Sequence, residues 1–232
     1  MALVKFGAGI VDMRGSIGGT VFSRNKSGAI ARARTKPVDP GSVFQTAIRS
    51  VIAQLVVRWK DTVTAAQRTV WNQYAAAVPM VNRLGETINL TGFNHFIRSN
   101  SARQQCGLAV VDDGPTVLSL PGQDPTLTLT ASEASNELSI AFDDTMDWLD
   151  EAGAGLIMLG SPEQRPTINF YKAPFRLADS VDGDDTTPPT SPTSIASPFT
   201  LHADNKVFVQ ARISRADGRL SEPFRVFCLI SA

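Results

Sequence analysis

The sequence predicts an α+β chain, in which an extended N-terminal arm with a β-hairpin is followed by a small three-helix region and then an antiparallel β-sandwich. Three observations lead there. Glycine punctuates the first forty residues, apolar residues recur at helical spacing through the next block, and from Pro125 onward the apolar period changes to two. The expected segments are 1–40 (arm), 41–107 (helical region), 108–124 (linker) and 125–232 (sandwich).

Charge divides the chain along the same lines. Residues 1–107 carry fourteen Lys and Arg against four Asp and Glu, and residues 108–232 carry eight against eighteen, so formal charges of +10 and −10 cancel. Such asymmetry points to modules with different partners: an acidic or nucleic-acid surface for the first half, solvent or a basic surface for the second, or identical copies stacked head to tail. No apolar run approaches the roughly 20 residues that span a bilayer. The start has neither a long apolar segment nor a small-residue cleavage site. Cys106 and Cys228 match no metal or redox spacing. The expectation is a cytosolically made protein with reduced thiols and no membrane partner.

In the arm, Gly7, Gly9, Gly15, Gly18, Gly19 and Gly28 exclude a helix. Residues 19–23 and 29–35 read as two strands around a turn at 25–28. Strand alternation puts Ala29, Ala31 and Ala33 on one side and Ile30, Arg32, Arg34 and Lys36 on the other, giving one small face and one mostly cationic face. A solvated, charge-protected edge is the bland reading. The functional reading is an arm that lies on a neighbouring subunit or on phosphates.

The helical block is well bounded. Ser42 with Gln45 has the form of a capping box, and Phe44, Ile48, Val51, Ile52, Leu55, Val56 and Trp59 follow as one apolar stripe. A second box, Thr64 with Gln67, opens a helix that turns Val70, Trp71 and Tyr74 inward and ends by Pro79. A third helix, opened by Thr91, sets Phe93, Phe96 and Ile97 on one side and Arg98 and Arg103 on another. Trp59 and Trp71 are expected in the core. Beyond Pro125, Leu127 and Leu129, then Leu138, Ile140 and Phe142, alternate with polar residues, 155–159 is continuously apolar, and Val207, Val209, Ala211 and Ile213 alternate again. An Asp217-Gly218 turn leads to a last strand with Phe224, Val226, Cys228 and Ile230 on one face. Residues 183–198, rich in Pro, Ser and Thr, read as a long loop.

Residues 15–26 (Gly-Ser-Ile-Gly-Gly-Thr-Val-Phe-Ser-Arg-Asn-Lys), the basic segment through Pro40, Gln67-Arg68-x-x-Trp71 and Leu90-Thr91-Gly92-Phe93-Asn94-His95-Phe96 resemble a family of tailed-phage and prophage proteins; the match covers about 6–107. The C-terminal module is similar to a fibronectin type III or related immunoglobulin-like sandwich, with the 217–223 turn (Asp-Gly-Arg-Leu-Ser-Glu-Pro) as its cue. Both resemblances imply a virion component, by analogy rather than by site chemistry.

Nothing in the sequence assembles an active site. His95 and His202 sit in no metal spacing, and His95 reads as a surface or capping residue at the start of its helix. Asp143, Asp144, Asp147, Asp150 and Glu151 offer oxygen ligands of the kind calcium takes, yet lack the spacing and central glycine of a calcium loop. Asp182, Asp184 and Asp185 read as solvated charge, and Gly18-Gly19 is not followed by the Lys and Ser or Thr of a phosphate loop. No catalytic residue, metal or cofactor is assigned. The sequence-based expectation is a non-enzymatic structural protein of the virion, present in the host cytoplasm during assembly: a capsid-associated cement or decoration protein whose sandwich projects outward. Its expected partners are the major capsid protein or other virion proteins, and further copies of itself. Arg14, Arg24, Lys26, Arg32, Arg34 and Lys36 are the candidate attachment residues. The alternatives are a neck or tail component and, in a different class, a non-specific DNA-binding protein. The last lacks a recognition helix with base-reading residues.

Overall fold

In the computed structural model, which describes residues 2–7, 9–36, 38–82 and 84–232, the chain is α+β, with three helices and three sheets. The first sheet is antiparallel throughout. It contains β1 (Ala2–Val4), β2 (Gly15–Ile17), β3 (Thr20–Asn25) and β4 (Gly28–Ala33), in the order β1-β4-β3-β2. The expected hairpin is its centre: Asn25 pairs with Gly28 across a two-residue turn, and Gly28 supplies the positive φ that turn requires. Two flanking strands, too short to show a period in the sequence, complete it.

Helices α1 (Val43–Asp61), α2 (Ala65–Ala77) and α3 (Gly92–Gln105) begin at the expected caps, with Ser42, Thr64 and Thr91 each accepting a backbone amide of the first turn. At Thr64 the box is reciprocal, since Gln67 also accepts from the Thr64 amide (2.8 Å). Between α2 and α3, β5 (Met80–Val81) and β6 (Thr87–Ile88) form a small ribbon. Leu55, Val63, Trp71, Tyr74, Val78 and Phe96 make the helical core, with Trp59 half-buried against Phe93 and Phe96. The stripe of α1 is only partly used. At 19 residues α1 is longer than the 14-residue α3 beside it, about 28 Å against 21 Å, so its first turns overhang. Phe44 and Ile48 consequently remain 61% and 44% exposed, whereas Ile52 (39%) and Val56 (42%) turn aside from the core that Val51 and Leu55 enter.

The C-terminal module has seven strands: β7 (Thr128–Ser132), β8 (Glu137–Ala141), β9 (Gly155–Gly160), β10 (Arg176–Asp182), β11 (Thr193–Ala196), β12 (Lys206–Ser214) and β13 (Phe224–Ser231). They run in the order β10-β9-β12-β13-β7-β8-β11, folding as a four-strand and a three-strand layer around one apolar core. Two expectations need correction. The sandwich is not wholly antiparallel, because β13 pairs in parallel with β7 at Ile230 and Ser231. Directions alternate strictly along seven strands, so the first and last point the same way where they meet. Nor is 183–198 all loop: Thr193–Ala196 is an edge strand paired with β8, held by the single buried side chain of Ile195. One inserted apolar residue is too little for a period-two signal.

The continuous apolar run of β9 has a structural cause. Leu156 and Met158 face the sandwich core, while Ile157 and Leu159 face α3 on the other side of the layer. Helix α3 is therefore covered on both sides, and its buried residues include His95, Ser99, Asn100 and Arg103. Arg103, on the side of α3 away from Phe93, is 2% exposed. Its Nε donates to the Ala109 carbonyl (2.8 Å), and one terminal nitrogen donates to Ser214 Oγ (2.9 Å) and the Arg215 carbonyl (2.8 Å). Arg98 donates to the carbonyls of Leu220 (2.6 Å) and Ser221 (2.8 Å). Two arginines thus fasten the helices to the β12–β13 connection.

The segment 108–124 is strapped along the helices. Arg58 holds Asp112 through two parallel hydrogen bonds (2.6 and 2.7 Å), Trp71 Nε1 donates to the Asp112 carbonyl (3.0 Å), and the Asn100 side chain pairs both ways with the Val111 backbone. A Cβ on Gly114 would stand 2.6 Å from the Trp71 backbone nitrogen, which is why the strap can lie so close. Gly218, at φ +88, closes the other side of the same indole.

Two outcomes are expected. Arg103→Met leaves three buried acceptors unpaired and should cost about 3 kcal/mol, splitting calorimetric unfolding into separate helical and sandwich transitions; a single undiminished transition contradicts the docking role. His95, instead of lying at the surface, is fully buried with both ring nitrogens unpartnered, and burial, helped by Arg98, pushes its pKa down to about 4. The native state then binds fewer protons than the unfolded chain, so this contribution is complete above about pH 6.5 and is lost as pH falls toward 4. His95→Phe, of similar shape, should remove that acid-dependent loss of thermal stability; an unchanged pH profile contradicts it.

Candidate assembly interface

The six candidate attachment residues all lie in or beside the first sheet, which distributes them over more than one face. Arg32 pairs with Val21 across β3 and β4 and shares its side with Ile30 and Leu3. Arg24 pairs with Ala29 and lies on the opposite side with Phe22 and Val4. Lys26 occupies the turn. Arg34 and Lys36 follow the end of β4 at Ala33, so strand alternation does not extend to them; Arg34 is held instead by its amide, which donates to the Gly19 carbonyl (2.8 Å). Arg14 precedes β2, and Asp12 lies between Arg14 (3.2 Å) and Arg24 (3.9 Å). Among the described residues, Lys26, Arg32, Arg34 and Lys36 make no ion pair.

The sheet is a regular ladder without a core. Not one described residue before Leu55 is buried. Its side chains meet the rest of the chain mainly at the β5–β6 ribbon, where Asn82 donates to the Ser27 carbonyl (3.3 Å) and Lys5 pairs with Glu86 (2.9 Å). A cleft of about 480 Å³ remains between Leu3 and Ile30 on one wall and Met80, Val81 and Ile88 on the other. A second cleft, of about 540 Å³, runs under the overhanging start of α1. Phe44, Ile48 and Val51 form its roof and Leu159, Phe175 and Leu177 its floor, with Arg176 4.8 Å from the Phe44 ring. Sheets with three or more strands gain independent stability from a covered apolar face. Here two open edges, an uncovered face and a half-used helix stripe occur together in the most basic part of the molecule.

Side chains elsewhere are engaged in structure. Among the described residues no group of three or more His, Cys, Asp or Glu is placed to hold a metal ion. Glu151 is taken up by Arg215, and Asp143 accepts from the Thr145 amide and hydroxyl. Burial pushes both free thiols, Cys106 and Cys228, up to about 11, so neither is an appreciable thiolate at neutral pH. No described helix is long and apolar enough to cross a membrane. Sequence reasoning placed Arg98 and Arg103 on a side of α3 away from Phe93, Phe96 and Ile97 and missed that they form a docking pair. It also missed that 143–151 and 182–185 meet as one acidic loop end. The contact that brings them together is at Gly183, where any Cβ would collide with the Trp148 carbonyl, and no sequence pattern marks it.

No protein-family model and no curated protein matches the chain. Solved structures similar to about half of it include an Fn3-like protein from Clostridium thermocellum, at 8% identity over 49% of this chain and 97% of that one, with a TM-score of 0.31. A family 76 glycoside hydrolase from a bovine Bacteroides thetaiotaomicron strain is 12% identical over 47% of this chain and 20% of its own (TM-score 0.31). The adhesin domain of Epf from Streptococcus pyogenes is 13% identical over 48% of this chain and 32% of its own (TM-score 0.30).

Limited trypsin digestion of the dilute free protein should cut first within 24–36 and release the sheet, while the chain from Leu55 onward survives intact by mass spectrometry. Equal protection of both parts contradicts an uncovered sheet.

Proposed function

We propose that the chain is a non-enzymatic structural component of a tailed-phage particle, a capsid-associated cement or decoration protein held by its N-terminal half. The observation that carries the reading is the basic segment 2–54, regular in its sheet and helix, in which no described residue is fully buried. Ordering it costs conformational entropy that no core of its own offsets, so a partner surface has to supply the missing burial. Its cations suit an acidic partner, and the apolar start of α1 suits a protein partner better than a polynucleotide. The resemblance of 6–107 to tailed-phage and prophage proteins gives the particle its name. In this reading the C-terminal module is a fibronectin type III-like sandwich, as its division into β7-β8-β11 and β10-β9-β12-β13 suggests, and it stands away from the shell.

Quantitative mass spectrometry of purified particles tests this. The chain should be present in many copies, and Arg32→Ala with Arg34→Ala should lower that number severalfold while thermal unfolding of the helices and sandwich stays unchanged. Full-length protein that binds duplex DNA tightly, with affinity falling steeply as salt rises, and binds no emptied shell overturns the reading in favour of a nucleic-acid function.

A further inference from the structure

We infer that the basic sheet of one copy docks on the acidic loop end of the sandwich of a second copy, so that the protein assembles head to tail. The inference rests on the structural reading above and names the partner of that sheet.

The receiving surface is built, not incidental. Gly183 packs against the carbonyls of Trp148, Leu149 and Glu151, its amide donates to the Ala154 carbonyl (3.0 Å), and the Asp184 amide donates to Leu149 (2.8 Å). These bonds lock 182–185 onto 147–154 and gather the exposed carboxylates of Asp147, Asp150, Asp182, Asp184 and Asp185, with Asp144 close in sequence. Two cations lie near them. Arg215 pairs with Glu151 and, at 3.7 Å, with Asp147, which is 85% exposed, and Arg103 is buried beneath with its hydrogen bonds to Ser214 and the Arg215 carbonyl. The result is a fixed end with an excess of negative charge, since Asp150, Asp182, Asp184 and Asp185 make no ion pair among the described residues.

The basic sheet is the complementary element, and it is anchored far from that end. It meets the chain at Asn82 and Glu86, just ahead of α3, whereas the acidic loops adjoin Arg103 and Gly153 at the last turn of α3. The 14 residues between them rise about 21 Å, beyond the roughly 8 Å over which exposed charges act at physiological salt. None of the sheet's ion pairs among the described residues reaches the acidic loops. A second copy removes both imbalances at once, in keeping with halves of +10 and −10 that cancel. An acidic shell protein would satisfy the sheet alone and leave the negative end unmatched. Because the two patches differ, the contact is heterologous: each copy retains a free sheet or a free acidic end, and the assembly closes as a ring or extends as a row.

Sedimentation velocity of the full-length chain provides the test. Species larger than a monomer should form in low salt and dissociate as salt rises through about 0.1 M toward 1 M, where the Debye length shrinks from about 10 Å to 3 Å. Arg32→Glu with Arg34→Glu should weaken self-association at least tenfold, and so should Asp147→Lys with Asp150→Lys. An equimolar mixture of the two variants should assemble again, since each restores the charge pairing the other reversed. A wild type that stays monomeric at low salt overturns the inference. So does an Asp147→Lys, Asp150→Lys protein that assembles like the wild type, which would point to a sheet-to-sheet contact instead. Either result, with copy number on purified particles retained, leaves the structural reading standing; absence of the chain from particles defeats that reading separately.

Discussion

The body of the molecule depends on the closure around Trp71. Its indole nitrogen is satisfied by the Asp112 carbonyl, its ring packs edge-on against Tyr74 and Phe96, Gly218 lies against the far edge of the indole, and Gly114 lets the strap pass against the Trp71 backbone nitrogen where a Cβ would not fit. One side chain therefore joins the helical core, the strap that follows it and the turn between β12 and β13. Arg98 and Arg103 extend the same junction with hydrogen bonds to sandwich carbonyls that would otherwise be buried without donors. From Leu55 to the C-terminus the chain behaves as one body because of this junction. What it excludes is as informative as what it holds, since no residue of β1–β4 takes part in it, and from the first half of α1 only Val51 packs on the helical core while Gln54 accepts from Gln104 (2.8 Å).

That exclusion sets the functional argument. Backbone hydrogen bonds in a small four-stranded sheet give modest net stabilisation in water, and the usual remainder comes from apolar burial. Here no described side chain of the sheet or of the first turns of α1 is fully buried, and the sheet's apolar residues are at most partly covered. The edges of this sheet are β1 and β2, and the cations at 24, 26, 32 and 34 lie in or beside the central β3 and β4, so they charge the faces of the sheet and its turn rather than its edges. The same charges favour an acidic partner. Stability and choice of partner thus follow from one composition.

Much of this was legible in the residues, and the failures are instructive. Ser42, Thr64 and Thr91 mark all three helix starts because capping is a local interaction with a fixed offset. Asp217-Gly218 marks the last hairpin for the same reason. His95 was misjudged because polarity argues for solvent, and only tertiary context reveals a helix enclosed on both sides, with Arg103 buried in it as well. Ile195 shows the opposite limit, a strand held by one side chain in a run too polar to announce it. In the first sheet, alternation correctly put Arg32 on the side of Ile30 and opposite Ala29, Ala31 and Ala33, but it did not yield a single basic face, because Arg24 lies on the alanine side and Arg34 and Lys36 lie beyond the strand. The acidic loop end was not legible, because Asp147 and Asp184 are brought together by a glycine contact across 30-odd residues, which no local pattern encodes.

The central claim is that 2–54 is ordered by a partner and not by its own chain. Hydrogen–deuterium exchange at single-residue resolution, on the free chain at low concentration and on chain bound in purified particles, tests it most directly. Amides of β1–β4 should exchange close to unprotected rates in the free chain while those of α2, α3 and β12 are strongly protected, and the sheet should gain protection of at least about a hundredfold on binding. Protection of the sheet in the free monomer equal to that of β12, unchanged on the particle, would contradict the account.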